Sequence, residues 1–234
     1  SAHGPTLKMC GMMGIPTLIQ APNSYAGVTN KLLAKKACKI CVAYDGMERF
    51  FEKDKIILTG NPVRQGLRNH HISREEAIRS FGLDPSKKTI LIVGGSLGAR
   101  TINNCVMEGL DKIKASGAQF IWQTGKIYIG EARAAVAQAG ELPMLHVTDF
   151  ISDMAAAYSA ADLIISRAGA GSISEFCLLQ KPVILVPSPN VAEDHQTKNA
   201  LALVNKNAAL YIKDAAAKEA LLDKAVETVK QPET

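Results

Sequence analysis

Nine short apolar runs, separated by longer polar or amphipathic stretches, constrain this 234-residue chain more than any single motif. They lie at Ile15–Ile19, Ile40–Ala43, Ile56–Leu58, Thr89–Val93, Gln119–Gln123, Met144–Val147, Leu163–Ile165, Val183–Val186 and Ala209–Ile212. Helical patterns fall between them at Pro5–Met13, Val28–Lys36, Arg100–Ala115, Ile129–Ala139, Ile151–Ser159, Ser172–Leu179 and Asp194–Asn205, and a last one follows at Ala216–Val229. Strands alternating with helices predict an α/β fold, a doubly wound and mostly parallel sheet covered on both faces. With 47% apolar but only 5% aromatic residues, the core must be packed largely by Ala, Val, Ile and Leu. Three runs precede Gly60-Asn61-Pro62-Val63-Arg64 and six follow it. The expected organisation is therefore a first part over 1–59, a linker over 60–64 and a complete Rossmann-like domain over 65–234. The first part is too small for an independent domain, since so short a segment buries only a small fraction of its surface. It is expected to be the end of another domain, and the chain a piece of a longer two-domain protein.

The richest chemistry lies between Ile164 and Asn199. An apolar run ends in a small-residue loop, Ser166 to Ser172. A helix is expected to open near Ser172, with Glu175 three residues on in capping-box spacing. A second run leads through a Pro-containing loop to a polar helix start carrying Glu193, Asp194, His195, Gln196 and Asn199. Helix-start amides meet phosphate, and nearby carboxylates or amides hold sugar hydroxyls, so the layout suits a nucleotide-linked sugar. Glu175 has two readings, a cap for its own helix or a ribose acceptor. His195 reads better as a polar lining residue than as a base.

Two further segments fit the same ligand. Gly94-Gly95-Ser96-Leu97-Gly98-Ala99 follows a buried strand, and its glycines allow backbone to approach a phosphate while Ser96 bonds it. It is not the dinucleotide fingerprint, because G-x-G-x-x-G is absent. Arg64, just past an Asn-Pro turn, would meet a diphosphate through its planar fork, or else is an ordinary surface arginine.

Bulk properties narrow the classes. A net charge of +5, without basic residues interleaved with aromatics, argues against nucleic acid. The cluster Lys31 to Lys39 is a solvated helix face or a contact for acidic head groups. Five cysteines, including a lone Cys38-x-x-Cys41, read as buried thiols in a reducing cytoplasm, and no metal-ligand cluster or cofactor motif stands out. No run approaches the ~20 apolar residues needed to span a bilayer.

Taken together, NSYAGVTNKLLAKKA (23–37), GNPVR (60–64), GGSLGAR (94–100), WQTGK (122–126), DFISDMAAAYSAADLIISRAGAGSISE (149–175) and EDHQTKNA (193–200) resemble the MurG-like family of bacterial N-acetylglucosaminyltransferases. The resemblance implies a GT-B fold that takes N-acetylglucosamine from UDP-N-acetylglucosamine to lipid I, an undecaprenyl-linked acceptor. The work would be done at the cytoplasmic side of the inner membrane, with inversion and without a metal. Carried over by motif, Arg64 and Ser96 contact the diphosphate and Ile151 lies at the uracil. Ala170, Gly171 and Ser172 offer amides to the phosphates, and Glu175 holds the ribose. His195 and Gln196 contact sugar hydroxyls, and Asn23 reaches the donor sugar from the other part. Lys31, Lys35 and Lys36 would add to a membrane surface. The family's GGTGGH loop, whose His is the favoured base, has no counterpart, so no catalytic base is assigned and the chain alone is expected to be inactive. Gln20-Ala21-Pro22 replaces the family's His-Glu-Gln. Two alternatives remain: a sugar-nucleotide binding module without turnover, and a UDP-N-acetylglucosamine 2-epimerase of the same fold.

Overall fold

In a computed structural model, which describes residues 4–68, 72–95, 99–191 and 194–231, the apolar runs form two parallel sheets. The first is β1 (Leu18–Ala21), β2 (Lys39–Val42) and β3 (Ile56–Leu58), in that order, with α1 (Gly4–Met12) and α2 (Val28–Ala34) between and before its strands. The second contains β4 (Thr89–Val93), β5 (Gln119–Gln123), β6 (Leu145–Thr148), β7 (Leu163–Ser166), β8 (Val183–Leu185) and β9 (Leu210–Tyr211). Its order is β6-β5-β4-β7-β8-β9, all parallel. The chain runs outward from β4 to β6, then returns to start again at β7 on the other side of β4. That reversal opens a crevice beyond the carboxyl ends of β4 and β7.

Alternate residues of each strand serve opposite faces of the second sheet. Ile90, Ile92, Phe120, Trp122 and Ile165 pack toward α5 (Arg100–Glu108), α6 (Leu110–Ala115), α7 (Ile129–Ala139) and α11 (Ala217–Lys230). Leu91, Val93, Ile121 and Ile164 pack toward α3 (Gln65–Arg68), α4 (Arg74–Ser80), α8 (Met154–Ala160), α9 (Ala170–Leu179) and α10 (His195–Val204). Buried polar groups find partners, as they must. Trp122 Nε1 donates to Asn103 Oδ1 at 3.0 Å, and Asn103 Nδ2 donates to the Thr124 carbonyl at 2.8 Å. At the opposite end of the sheet, Asp162 accepts from Arg74 Nε and Nη2 and from the Thr89 amide.

Several local expectations are corrected. β1 begins at Leu18 rather than Ile15, because Gly14 turns with φ 71° and Pro16 has no amide to donate to a ladder. The helix expected over 100–115 divides at Gly109 into α5 and α6. The helix expected from Ile151 starts at Met154, where the Asp153 carboxylate caps the Ala156 amide at 2.9 Å. α4 was not anticipated, although Ser73 and Glu76 form a complete capping box before and within it. Of the CxxC pair, Cys38 is exposed and Cys41 half-buried, since Cys41 takes an outward position on β2; Cys105 is the thiol that is buried.

Gly109 permits the break between α5 and α6. A Cβ there would sit 2.2 Å from Leu222 Cδ1 and 2.8 Å from the Cys105 carbonyl oxygen. Gly109→Ala should therefore push α11 off the sheet and destabilise the chain by about 1–3 kcal/mol, the usual cost of overpacking. Urea unfolding measures it; an unchanged midpoint would mean that α11 yields freely.

Candidate functional site

Parallel strands deliver all their following loops to one side, and here the loops of both sheets meet. Three side chains make the junction. Asn199, on α10 and 1% exposed, accepts from the Ser24 amide at 2.9 Å and from Ser24 Oγ at 3.1 Å. Its Nδ2 donates to Asn23 Oδ1 at 2.9 Å and to the Ala168 carbonyl at 3.4 Å. Asn61 Nδ2 donates to the Pro22 carbonyl at 2.9 Å and to Ser174 Oγ at 3.0 Å, which joins the loop after β1 to α9. Gln20 Nε2 donates to the Gly60 carbonyl at 3.1 Å, so the Gln20-Ala21-Pro22 segment is built into this junction.

A further contact is charged. Arg64 Nε donates to Glu175 Oε1 at 2.9 Å, while Tyr158 Oη donates to Glu175 Oε2 at 2.7 Å. The Glu175 side chain is 8% exposed and that of Arg64 is 61% exposed, so the guanidinium lies on the solvent side of the carboxylate. Tyr158 is 3% exposed, and its ring meets Phe176 edge to face. Burial, then the bond to Glu175, raises the Tyr158 hydroxyl well above its ordinary pKa, so it stays a donor. The helix-capping reading of Glu175 is thereby overturned. α9 opens at Ala170 with Gly169 as its N-cap, two residues before the expected Ser172, and the carboxylate is turned toward Tyr158 and Arg64 instead.

The start of α9 offers anion-binding chemistry. No acidic residue stands in its first turn and no side chain caps it. A Cβ built on Gly169 or Gly171 meets nothing within 4 Å, so the backbone of Gly169, Ala170, Gly171 and Ser172 borders open space. These amides carry the positive end of the helix dipole. Gly95, in the loop after β4, holds φ 81°, a conformation that favours glycine. Ser96 lies outside the described residues.

Gln196 Oε1 accepts from the Ala168 amide at 3.2 Å and the Ser188 amide at 2.9 Å, which ties the loops after β7 and β8 together. Its carbonyl is thus a brace, and its amide nitrogen is the end suited to a sugar hydroxyl. Arg167 reinforces the brace by pairing with Asp214 and donating to the Val186 carbonyl at 3.1 Å. His195 opens α10, with its ring 6.4 Å from that of Tyr25. Ile151 is 5% exposed and belongs to the core. Lys31 Nζ lies over the Tyr25 and Phe50 rings at 4.6 and 4.8 Å, whereas Lys35 and Lys36 are exposed.

Asn23, Arg64, Ala170, Gly171, Ser172, Glu175 and Gln196 therefore share one connected cluster. Sequence reasoning gave no site role to Asn61, Tyr158 or Asn199. Each stands inside a motif that had been singled out, but its role depends on a partner more than 15 residues away. Asn199→Ala should strand the Ser24 amide and cost about 1–3 kcal/mol of stability. Hydrogen exchange is the sharper readout: the Ser24 amide should lose protection, and retained protection would show that Asn199 does not hold the loop.

Comparison with known proteins agrees with this geometry. The glycosyltransferase family 28 C-terminal domain matches residues 89–234. The UDP-N-acetylglucosamine--N-acetylmuramyl-(pentapeptide) pyrophosphoryl-undecaprenol N-acetylglucosamine transferase of Phocaeicola vulgatus is 98% identical over 233 residues, covering 100% of this chain and 62% of that protein. The chain thus spans under two thirds of the length of that relative. The crystal structure of Acinetobacter baumannii MurG superposes with a TM-score of 0.75 at 29% identity, covering 99% of this chain and 62% of that one. A putative UDP-N-acetylglucosamine 2-epimerase from Listeria monocytogenes gives 0.69 at 12% identity over 97% of this chain and 63% of its own, a likeness of fold alone. The expected GT-B fold class, parallel sheets with alternating helices, holds.

Proposed function

Because the chain belongs to glycosyltransferase family 28, we propose that it is the donor-binding part of an inverting N-acetylglucosaminyltransferase that converts lipid I to lipid II. Residues 65–234 form the UDP-N-acetylglucosamine domain in this reading, residues 60–64 the linker, and residues 1–59 the end of an acceptor-side domain. The observation that carries the reading is the pairing of an uncapped, glycine-flanked helix start with Arg64 and a buried carboxylate at the sheet's reversal point. A nucleoside diphosphate needs those three things: amides and a cation for its phosphates and an acceptor for its ribose hydroxyls.

The chemistry follows from the placement. An acceptor hydroxyl attacks the anomeric carbon from one face while the bond to the diphosphate oxygen breaks on the other. Negative charge grows on the departing UDP. The Ala170–Ser172 amides belong to the helix start and are in place before that charge appears, so they stabilise the transition state without reorganising, and Arg64 adds a cation. Gln196, with His195 beside it, lines the sugar end, and Asn23 reaches it from the loop after β1. The base that takes the acceptor proton is assigned to the acceptor-side domain. The undecaprenyl-linked acceptor puts the enzyme at the cytoplasmic face of the inner membrane; no helix among the described residues is long and apolar enough to cross one.

The 2-epimerase reading shares the fold. It needs catalytic carboxylates in the cleft from both parts, and the sequence shows no matching motifs.

Calorimetric titration with UDP-N-acetylglucosamine, using UDP-glucose as control, tests the proposal. Selective binding is expected, and a folded chain that binds neither would overturn it. Arg64→Ala should weaken UDP binding by about 1.5–3 kcal/mol, the worth of a charge-assisted hydrogen bond. Unchanged affinity would remove Arg64 from the site.

A further inference from the structure

Arg64 and Glu175 serve different parts of the nucleotide in the donor-binding reading, yet in the structure they hold each other at 2.9 Å. The geometry makes these two facts compete. Oε2 faces the interior and takes the hydroxyl of Tyr158, itself 3% exposed. Oε1 faces the crevice and is covered by the largely exposed Arg64. A ribose arriving from solvent meets the edge of the carboxylate that Arg64 occupies.

We propose that Glu175 is an exchange point: the ribose hydroxyls of the nucleotide take the place of Arg64 on Oε1, and the displaced guanidinium turns to the diphosphate of the same molecule. Tyr158 is the positioning residue that keeps Oε2 in place through both arrangements. The inference rests on the donor-binding reading and deepens it. Ribose and diphosphate recognition become interdependent. A nucleoside alone must displace Arg64 with no anion to receive it, whereas a nucleoside diphosphate supplies both the replacement for Arg64 and its new partner. In the rival arrangement Arg64 keeps Glu175 through Nε and reaches phosphate with its terminal nitrogens, and no exchange occurs.

The two arrangements differ in sign. The chain and its Arg64→Ala variant are titrated by NMR with uridine, with 2′,3′-dideoxyuridine, which lacks the ribose diol, and with UDP. Exchange predicts that Arg64→Ala tightens uridine binding by about tenfold, because Glu175 loses its competitor, while UDP binding weakens. Dideoxyuridine should not respond. Tyr158→Phe should weaken uridine and UDP by a similar factor and leave dideoxyuridine unchanged, a pattern that a general loss of structure does not give. Arg64→Met, which keeps the aliphatic stem, serves as a second variant should Arg64→Ala fold poorly. Uridine binding that is unchanged or weaker in the arginine variants, with UDP still bound by the unaltered chain, overturns the exchange and leaves the donor site standing. If the unaltered chain binds neither uridine nor UDP, the donor-binding reading itself fails, and the exchange with it.

Discussion

The site depends on one buried amide. Asn199 stands where the loops of two separate parallel sheets meet, and both ends of its side chain are used: the oxygen by Ser24 and the nitrogen by Asn23 and the Ala168 carbonyl. A neutral amide suits this position better than a charge would. It brings donors and an acceptor to one point, so it can satisfy backbone and side chain from either partner, and its burial carries no ionic desolvation cost. Asn61 repeats the device from the linker, reaching Pro22 on one side and Ser174 on the other. Apolar contacts alone would let the two sheets slide; these directional bonds fix a register between them.

From that register the rest of the crevice follows. The reversal between β4 and β7 leaves two neighbouring strand ends whose following helices lie on opposite faces. Gln196 consumes the amides of Ala168 and Ser188, which stiffens the loops. Next to those braced groups, the start of α9 has no side-chain cap and borders open space at Gly169 and Gly171. Braced and available amides lie within a few residues of each other, which is how a mobile-looking glycine loop presents a fixed set of donors.

Much of this was legible in the sequence. The apolar runs marked all nine strands among the described residues: β4, β5, β7 and β8, buried on both faces, carry their signal in composition, whereas β1 and β2 alternate. The capping boxes show where local reading ends. Ser73-x-x-Glu76 is a real box and was passed over; Ser172-x-x-Glu175 has the same spacing and is not one. Local spacing cannot separate them. What decides is whether the glutamate faces solvent, as at Glu76, or lies beneath an arginine and against a buried tyrosine, as at Glu175. Gly109 is a similar case: the helical pattern runs straight through it, and the close approach of Leu222, distant in sequence, leaves no room there for a Cβ. Tyr158, Asn61 and Asn199 escaped assignment for the same reason, since their partners are set by topology.

The Arg64–Glu175–Tyr158 chain shows why these residue types belong together. A carboxylate that is to hold a sugar diol, as proposed for Glu175, must be kept oriented in a place that is nearly dry, which is costly for an isolated charge. Tyr158 contributes a donor that burial keeps protonated, and a hydroxyl on that side orients the carboxylate without neutralising it. The compensating charge comes instead from the solvent side, where it can leave. Arginine fits that part because it is charged at every working pH and bonds oxyanions of either kind, carboxylate or phosphate, through the same planar fork. A lysine would serve as a point charge but would not carry the same bonding geometry from one oxyanion to the other. In the proposed exchange, the arrangement solves two problems with one contact, the stability of a nearly buried acid and the readiness of a cation for an incoming diphosphate.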